Sequence, residues 1–292
     1  WGRRLAGRHA LEWDKMPGVG LVDDKRVRHY LVLVGLLVLH CLVRWLLAQS
    51  HLLDQADYDE SITGLMALHW LRGDFQAFFW GQPYMGTLEP LLAAGVFWLF
   101  GPSIFALHNT LILVSCLALL AVYGLGREVG GPRLGLLAAL FWALPPLFLS
   151  FDGLYATGGH LEAVTASAVV LYGACRLAFR PPSRPRWLAL GIGVVAGLGW
   201  WCSLLVASLL AASVLGLLAA RPRLLRGWTP WVMLAGFLLG SAPFWWWNLT
   251  HDFMTFRAIE PGSGQVLGNL YGLLLGGWLP SRPGAWWDRW SV

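Results

Sequence analysis

Charge is what this sequence has little of. Only 13% of its 292 residues are Asp, Glu, Lys or Arg, against 57% hydrophobic. That leaves too little polar surface to solvate a globular particle and argues against a soluble single domain. Cysteine is scarce as well. Cys41, Cys116, Cys175 and Cys202 lie in or beside apolar runs, without the close pairing of a zinc ribbon or redox motif, and read as small buried residues. No internal repeat stands out, and no cleavable signal peptide is evident before Tyr30. The net charge of +5 comes from basic residues scattered between apolar runs rather than gathered with aromatics on one face, so no nucleic acid partner is expected.

What the chain has is long apolar runs, and a membrane-crossing helix needs roughly 20 such residues. Runs at 30–48, 104–124, 133–150, 161–179, 187–201, 203–219 and 229–248 predict seven spans in an all-α, polytopic membrane protein. The run 88–100 is shorter and starts with Glu89 and Pro90. If it does not cross, the loops holding Arg127 and Arg133, Arg176 to Arg186, and Arg221 to Arg226 all share a side with the basic tail 1–29, as short arginine-rich loops do on the cytoplasmic face. We therefore expect 88–100 to lie in the interface or re-enter. The N-terminus is then cytoplasmic, and 49–103, 151–160 and 250–292 lie outside, with 30–249 as the membrane module. Eleven carboxylates then fall outside, among them Asp59, Glu60, Asp74, Glu89, Asp152 and Glu162. Five fall inside: Glu12, Asp14, Asp23, Asp24 and Glu128. Clusters such as Trp200-Trp201 and Trp245 to Trp247 suit a headgroup-level belt.

The outer loops hold the candidate chemistry. Ile62, Leu65, Met66 and Trp70 follow a helical period, predicting an amphipathic interfacial helix over 59–72. Asp59 and Glu60 stand at its amino end, where the dipole favours negative charge. Alone, that pair fits a cap and a solvated neighbour as well as a site. In the turn Asp152-Gly153 to Gly158-Gly159, glycines permit close approach of a ligand, and His160 with Glu162 is a candidate for a metal or an acceptor, with a solvated helix start as the plainer alternative. His251 beside Asp252 is weak evidence for a metal. Asn248-Leu249-Thr250 fits a glycosylation acceptor pattern, but it abuts the membrane, and the arginine- and alanine-rich composition looks bacterial.

An Asp-Glu pair after the first span, Gly73-Asp74, and Gly81-Gln82-Pro83-Tyr84 leading to Glu89-Pro90 and a short helix together resemble the polyprenyl-phosphate-dependent glycosyltransferases of the GT-C type. That superfamily includes protein O-mannosyltransferases and lipid A aminoarabinose transferases. The resemblance implies inverting transfer of a sugar from a polyprenyl-phosphate donor to an acceptor glycan, lipid or protein, outside an inner or plasma membrane. Asp59 matches the catalytic aspartate, a general base toward the acceptor. Glu89 matches a second acidic position that helps to hold the acceptor or a divalent metal, with Glu60, His160 and Glu162 in support. Two departures stand out: Pro90 and Ile62 replace a lysine and an arginine of the aminoarabinose enzymes. The donor phosphate must then meet another cation, Arg72 or Arg257 at the outer face, or Arg44 near the end of the first span, which snorkelling also explains. Glu89 and His251 remain weak metal candidates. Relatives continue with further spans, so the chain is expected to be a fragment. A multi-pass transporter or flippase is the rival reading; it predicts ionisable groups near the midplane, where the spans carry almost none.

Overall fold

A computed structural model describes residues 24–50 and 58–259. Helices dominate: α1 Asp24–Ala48, α2 Tyr58–Leu71, α3 Leu88–Phe100, α4 Ile104–Ala143, α5 Leu147–Asp152, α6 His160–Phe179, α7 Pro185–Cys202, α8 Val206–Ala220, α9 Thr229–Gly240, α10 Ala242–Thr250 and α11 Met254–Ile259. A small antiparallel hairpin, β1 Phe78–Phe79 with β2 Gln82–Gly86, separates α2 from α3. Among the described residues, three helical stretches are long and apolar enough to cross a membrane: Val27–Ala48, Ile104–Ala143 and His160–Phe179.

The longest of these is not straight. Gly130 and Gly131 leave helical geometry, Gly131 at φ +84° and ψ −176°, and the chain folds back there. A Cβ on Gly135 would lie 2.8 Å from the carbonyl oxygen of Tyr123, whereas twelve residues of straight helix would hold them about 18 Å apart. The Trp142 indole donates to the Ser115 carbonyl oxygen at 3.1 Å, further along the same antiparallel pair. Residues 104–129 and 132–143 are therefore two arms, packed with α1 through Leu33, Leu119, Tyr123, Ala139 and Ala143.

Two of the expected runs are not continuous helices. The run 133–150 breaks after Ala143 and resumes as α5 beyond Pro145-Pro146, because proline supplies no N–H and its ring clashes with the preceding turn. The run 229–248 breaks at Ser241, between α9 and α10. Helices α7 and α9 pack at backbone contact: a Cβ on Gly193 would strike the Met233 carbonyl, on Gly197 that of Phe237, and on Gly240 that of Val194. Small residues four apart on both helices allow this approach, the means by which helices associate in lipid.

The bundle has two chemically distinct ends. At one, His29 and Tyr123 hydrogen-bond at 2.8 Å, and Arg176 donates to Glu128 at 2.7 Å. The starts of α1, the α4 turn and the end of α6 thus share that basic end. At the other, Arg44 of α1 donates to the Ser150 carbonyl. Helix α3 starts against Gly158-Gly159 through Glu89, and its Val96 and Phe97 pack with Ala106, Leu107 and Ala156. Both ends of α3 therefore sit at this second end, and it lies across the bundle rather than along it.

Candidate functional site

At that second end three glutamates from separate segments are removed from water: Glu60 and Glu89 are 1% exposed and Glu162 is 4% exposed. Burying a carboxylate costs several kcal/mol unless donors replace its hydration, so the donors decide where the chain must close. Glu60 Oε1 lies 3.0 Å from His108 Nε2 and accepts the Ala156 N–H at 3.3 Å. Glu89 is clamped by consecutive amides, Gly158 N–H to Oε1 at 3.2 Å and Gly159 N–H to Oε2 at 2.9 Å. The Thr63 hydroxyl spans both partners, lying 3.4 Å from Glu89 Oε1 and 3.2 Å from the Ala156 carbonyl oxygen.

The clamp depends on glycine. Gly158 and Gly159 have φ +87° and +93°, the left-handed region that lets successive N–H groups converge on one anion. Burial holds the Glu89 carboxyl above its ordinary range, against the opposing pull of the Gly159 and Gly158 amides. Glu162, in the first turn of α6, finds no hydrogen-bond donor for either oxygen among the described residues, and the charge acting on it is that of Glu89. Two buried carboxylates that feel each other's charge cannot both ionise cheaply.

The β-hairpin closes this end from the side. Trp201 donates its indole N–H to the Ala77 carbonyl at 2.7 Å, Met85 bridges to Ser203, and the Thr255 hydroxyl of α11 donates to the Pro83 carbonyl at 2.5 Å. Phe244 is fully buried between Phe78, Trp200 and Trp245. The expected tryptophan belt is thus corrected for Trp201, 4% exposed in this cluster; Trp246 does face outward, 65% exposed.

The other predicted residues distribute unevenly. Asp59 is half-buried beside the locked Glu60, whereas Arg72, His160 and Arg257 are exposed. His160 and Glu162, two apart on a helix, do not share a face, and the expected joint role for them is not what the geometry provides. The apolar stripe predicted for α2 is also offset: Glu60, Thr63, Met66 and Ala67 form its buried face, while Leu65 is 50% exposed. His251 stacks on Trp247 at 4.3 Å and 8°, with Glu89 elsewhere. Among the described residues no group of three or more His, Cys, Asp or Glu side chains stands together as metal ligands do. Arg44 is buried rather than snorkelling, 4% exposed. Asn248 is buried too, bonded to the Phe244 carbonyl and the Thr255 N–H, which suits no glycan.

His108 and Thr63 are the site residues that sequence reasoning missed. A histidine in the second turn of an apolar span was the available signal, because an ionisable group at that depth requires a partner.

Taken together, these features define a polytopic α-helical membrane protein whose buried carboxylates converge at one end of its bundle. The sequence model of the dolichyl-phosphate-mannose-protein mannosyltransferase family matches residues 85–247, more than half of the chain, and the chain belongs to that family. It is by family a membrane glycosyltransferase. The matched stretch contains Glu89, His160 and Glu162; Asp59, Glu60, Arg72, His251 and Arg257 fall outside it. No curated protein and no solved structure matches significantly.

Proposed function

We propose that the chain is an inverting glycosyltransferase that moves a sugar from a polyprenyl-phosphate donor to an acceptor glycan, lipid or protein at the carboxylate-bearing end, on the outer face of a bacterial inner or plasma membrane. Seven segments cross in this reading, counting both arms of α4 and the broken helices. Asp59 is the general base. The observation that carries this is its attachment to Glu60: His108 and the Ala156 amide lock Glu60, fixing the first turn of α2, while Asp59 itself stays half-exposed. A base needs that combination of fixed backbone and open carboxylate.

An acceptor hydroxyl is a poor nucleophile until its proton is taken. As Asp59 accepts that proton, the acceptor oxygen bonds to the anomeric carbon and the bond to the lipid phosphate breaks from the opposite face. One displacement inverts the centre, and the phosphate leaves as an anion facing Arg72 or Arg257. An apolar groove of about 620 Å³ between α6, α7, α8 and α9, floored by Ile192, Leu217 and Met233, suits the isoprenoid tail of such a donor.

The test is transfer in vesicles reconstituted with the full protein and a labelled polyprenyl-phosphate sugar. Labelled acceptor from wild type and none from Asp59→Ala supports the reading. Wild-type labelling by Asp59→Ala removes the catalytic assignment, and solute flux without transfer favours a transporter.

A further inference from the structure

The basic end of the bundle holds a pocket unrelated to the carboxylates. It encloses about 840 Å³ between the start of α1 and the turn of α4, lined by Arg28, His29, Tyr30, Arg127, Gly130, Pro132 and Arg133. No Asp or Glu lines it among the described residues. Glu128, the nearest carboxylate in sequence, is occupied by Arg176 at 2.7 Å and faces Arg180 at 3.7 Å. The wall is also held in place, because His29 of α1 and Tyr123 of α4 hydrogen-bond across it at 2.8 Å.

A positively charged wall at a loop follows from membrane topology alone; a concave, braced one does not. The second arm of α4 adds to it. Pro132 and Arg133 begin that arm, so its amino-terminal dipole end and the amides of its first turn lie at the pocket, where an anion gains most. Further along the same two helices, apolar side chains are turned outward: Leu31 at 63% and Val34 at 54% exposure on α1, Leu137 at 47% and Phe141 at 68% on the α4 arm. A soluble anion would have no use for that apolar continuation, whereas acyl chains would.

We propose that this pocket binds the phosphate headgroup of an anionic phospholipid from the leaflet at the basic end, with Arg127, Arg133 and the start of the second α4 arm on the phosphate and the chains along Leu31, Val34, Leu137 and Phe141. Basic pockets between spans take such headgroups by combining charge with a bilayer-depth apolar wall. The site lies at the opposite end from Asp59, and its occupation is independent of any transfer reaction.

The test uses the full protein in neutral detergent, with the unfolding midpoint followed as dioleoyl phosphatidylglycerol, dioleoyl phosphatidylcholine or inorganic pyrophosphate is added. Phosphatidylglycerol should raise the midpoint by on the order of 3 °C, and phosphatidylcholine should not. The rise should vanish in Arg127→Gln/Arg133→Gln and persist in Arg184→Gln/Arg186→Gln, which removes the same charge from exposed arginines at the start of α7. An equal rise in both double variants would overturn the proposal in favour of diffuse charge attraction. A rise with pyrophosphate as large as with lipid would overturn the lipid assignment in favour of a soluble phosphate ligand. Should the first double variant fail to fold, Arg133→Glu alone takes its place, and wild type is photolabelled with a headgroup-diazirine phosphatidylglycerol. Labels on peptides spanning 28–30 and 130–133 support the site; labels confined elsewhere sink it.

Discussion

The backbone amide of Gly159 donates to Oε2 of Glu89 at 2.9 Å, joining residues 70 positions apart in the chain. Gly158 repeats the contact on the other oxygen, and both glycines adopt φ values near +90°. Their substitution separates two costs. Gly158→Ala meets the methyl end of Met85 as well as the strain of φ +87°, and should lose about 2–4 kcal/mol. Gly81→Ala, at φ +76° with nothing within 4 Å of a new Cβ, should lose only about 1–2 kcal/mol. Denaturant midpoints in detergent would compare them, and equal losses would mean that the clamp is not tightly packed against Met85.

Glu89 also sets a pH dependence. Burial raises its carboxyl above the ordinary value of 4.5, so the folded protein binds this proton more tightly than the unfolded chain does. The resulting stabilisation is fully present below pH 4.5 and is lost as pH rises through the raised value, at no more than about 1.36 kcal/mol per pH unit for one group. Melting midpoints measured upward from pH 4.5 should show this decline in wild type. Glu89→Gln should flatten it, whatever that change does to absolute stability. An unchanged slope would assign the titration to another group.

Asp59 and Glu60 are adjacent, yet they should fail differently. Removing the partner of a buried carboxylate typically costs about 3–5 kcal/mol, so His108→Ala should unfold at markedly lower temperature, with activity lost alongside. Asp59→Ala deletes a half-exposed group and should leave the midpoint close to wild type, while transfer falls by about 10²–10⁴, the usual contribution of a general base. Activity loss strictly proportional to unfolding in both variants would reduce Asp59 to a structural residue.

The contrast within that pair also marks what the sequence could reveal. Apolar runs located most helices because lipid demands length and composition, which are local properties. The breaks at Pro145-Pro146 and Ser241 were hidden inside runs whose average hydropathy stayed high. The turn at Gly130-Gly131, by contrast, falls where the arginine-bearing loop was expected. Glu60 was seen, but not its burial: a carboxylate beside a capping position looks alike whether it meets water or His108, and that choice rests on contacts 48 and 96 residues away. Glu162 was paired with His160 because the two are neighbours in sequence, although helical geometry turns them apart.

The glycine interlock of α7 and α9 was equally present in the sequence, as Gly193-x-x-x-Gly197 and Gly236-x-x-x-Gly240, and it yields the most direct test of the membrane fold. A Cβ on Gly193 or Gly240 would strike backbone carbonyls of the facing helix, and backbone, unlike a flexible side chain, moves only if the helices separate. Separation would also shift Trp200 and Trp201 at the end of α7, and with them the Ala77 contact that holds the β-hairpin. Gly197→Leu should therefore lower the unfolding midpoint and reduce transfer together, despite lying in a different helix from Asp59, Glu89 and Glu162. Gly191→Leu, on the same helix with nothing within 4 Å of its Cβ, should do neither. If both substitutions are tolerated equally in stability and activity measurements, the close approach of α7 and α9 is wrong, and the placement of the hairpin loses its support.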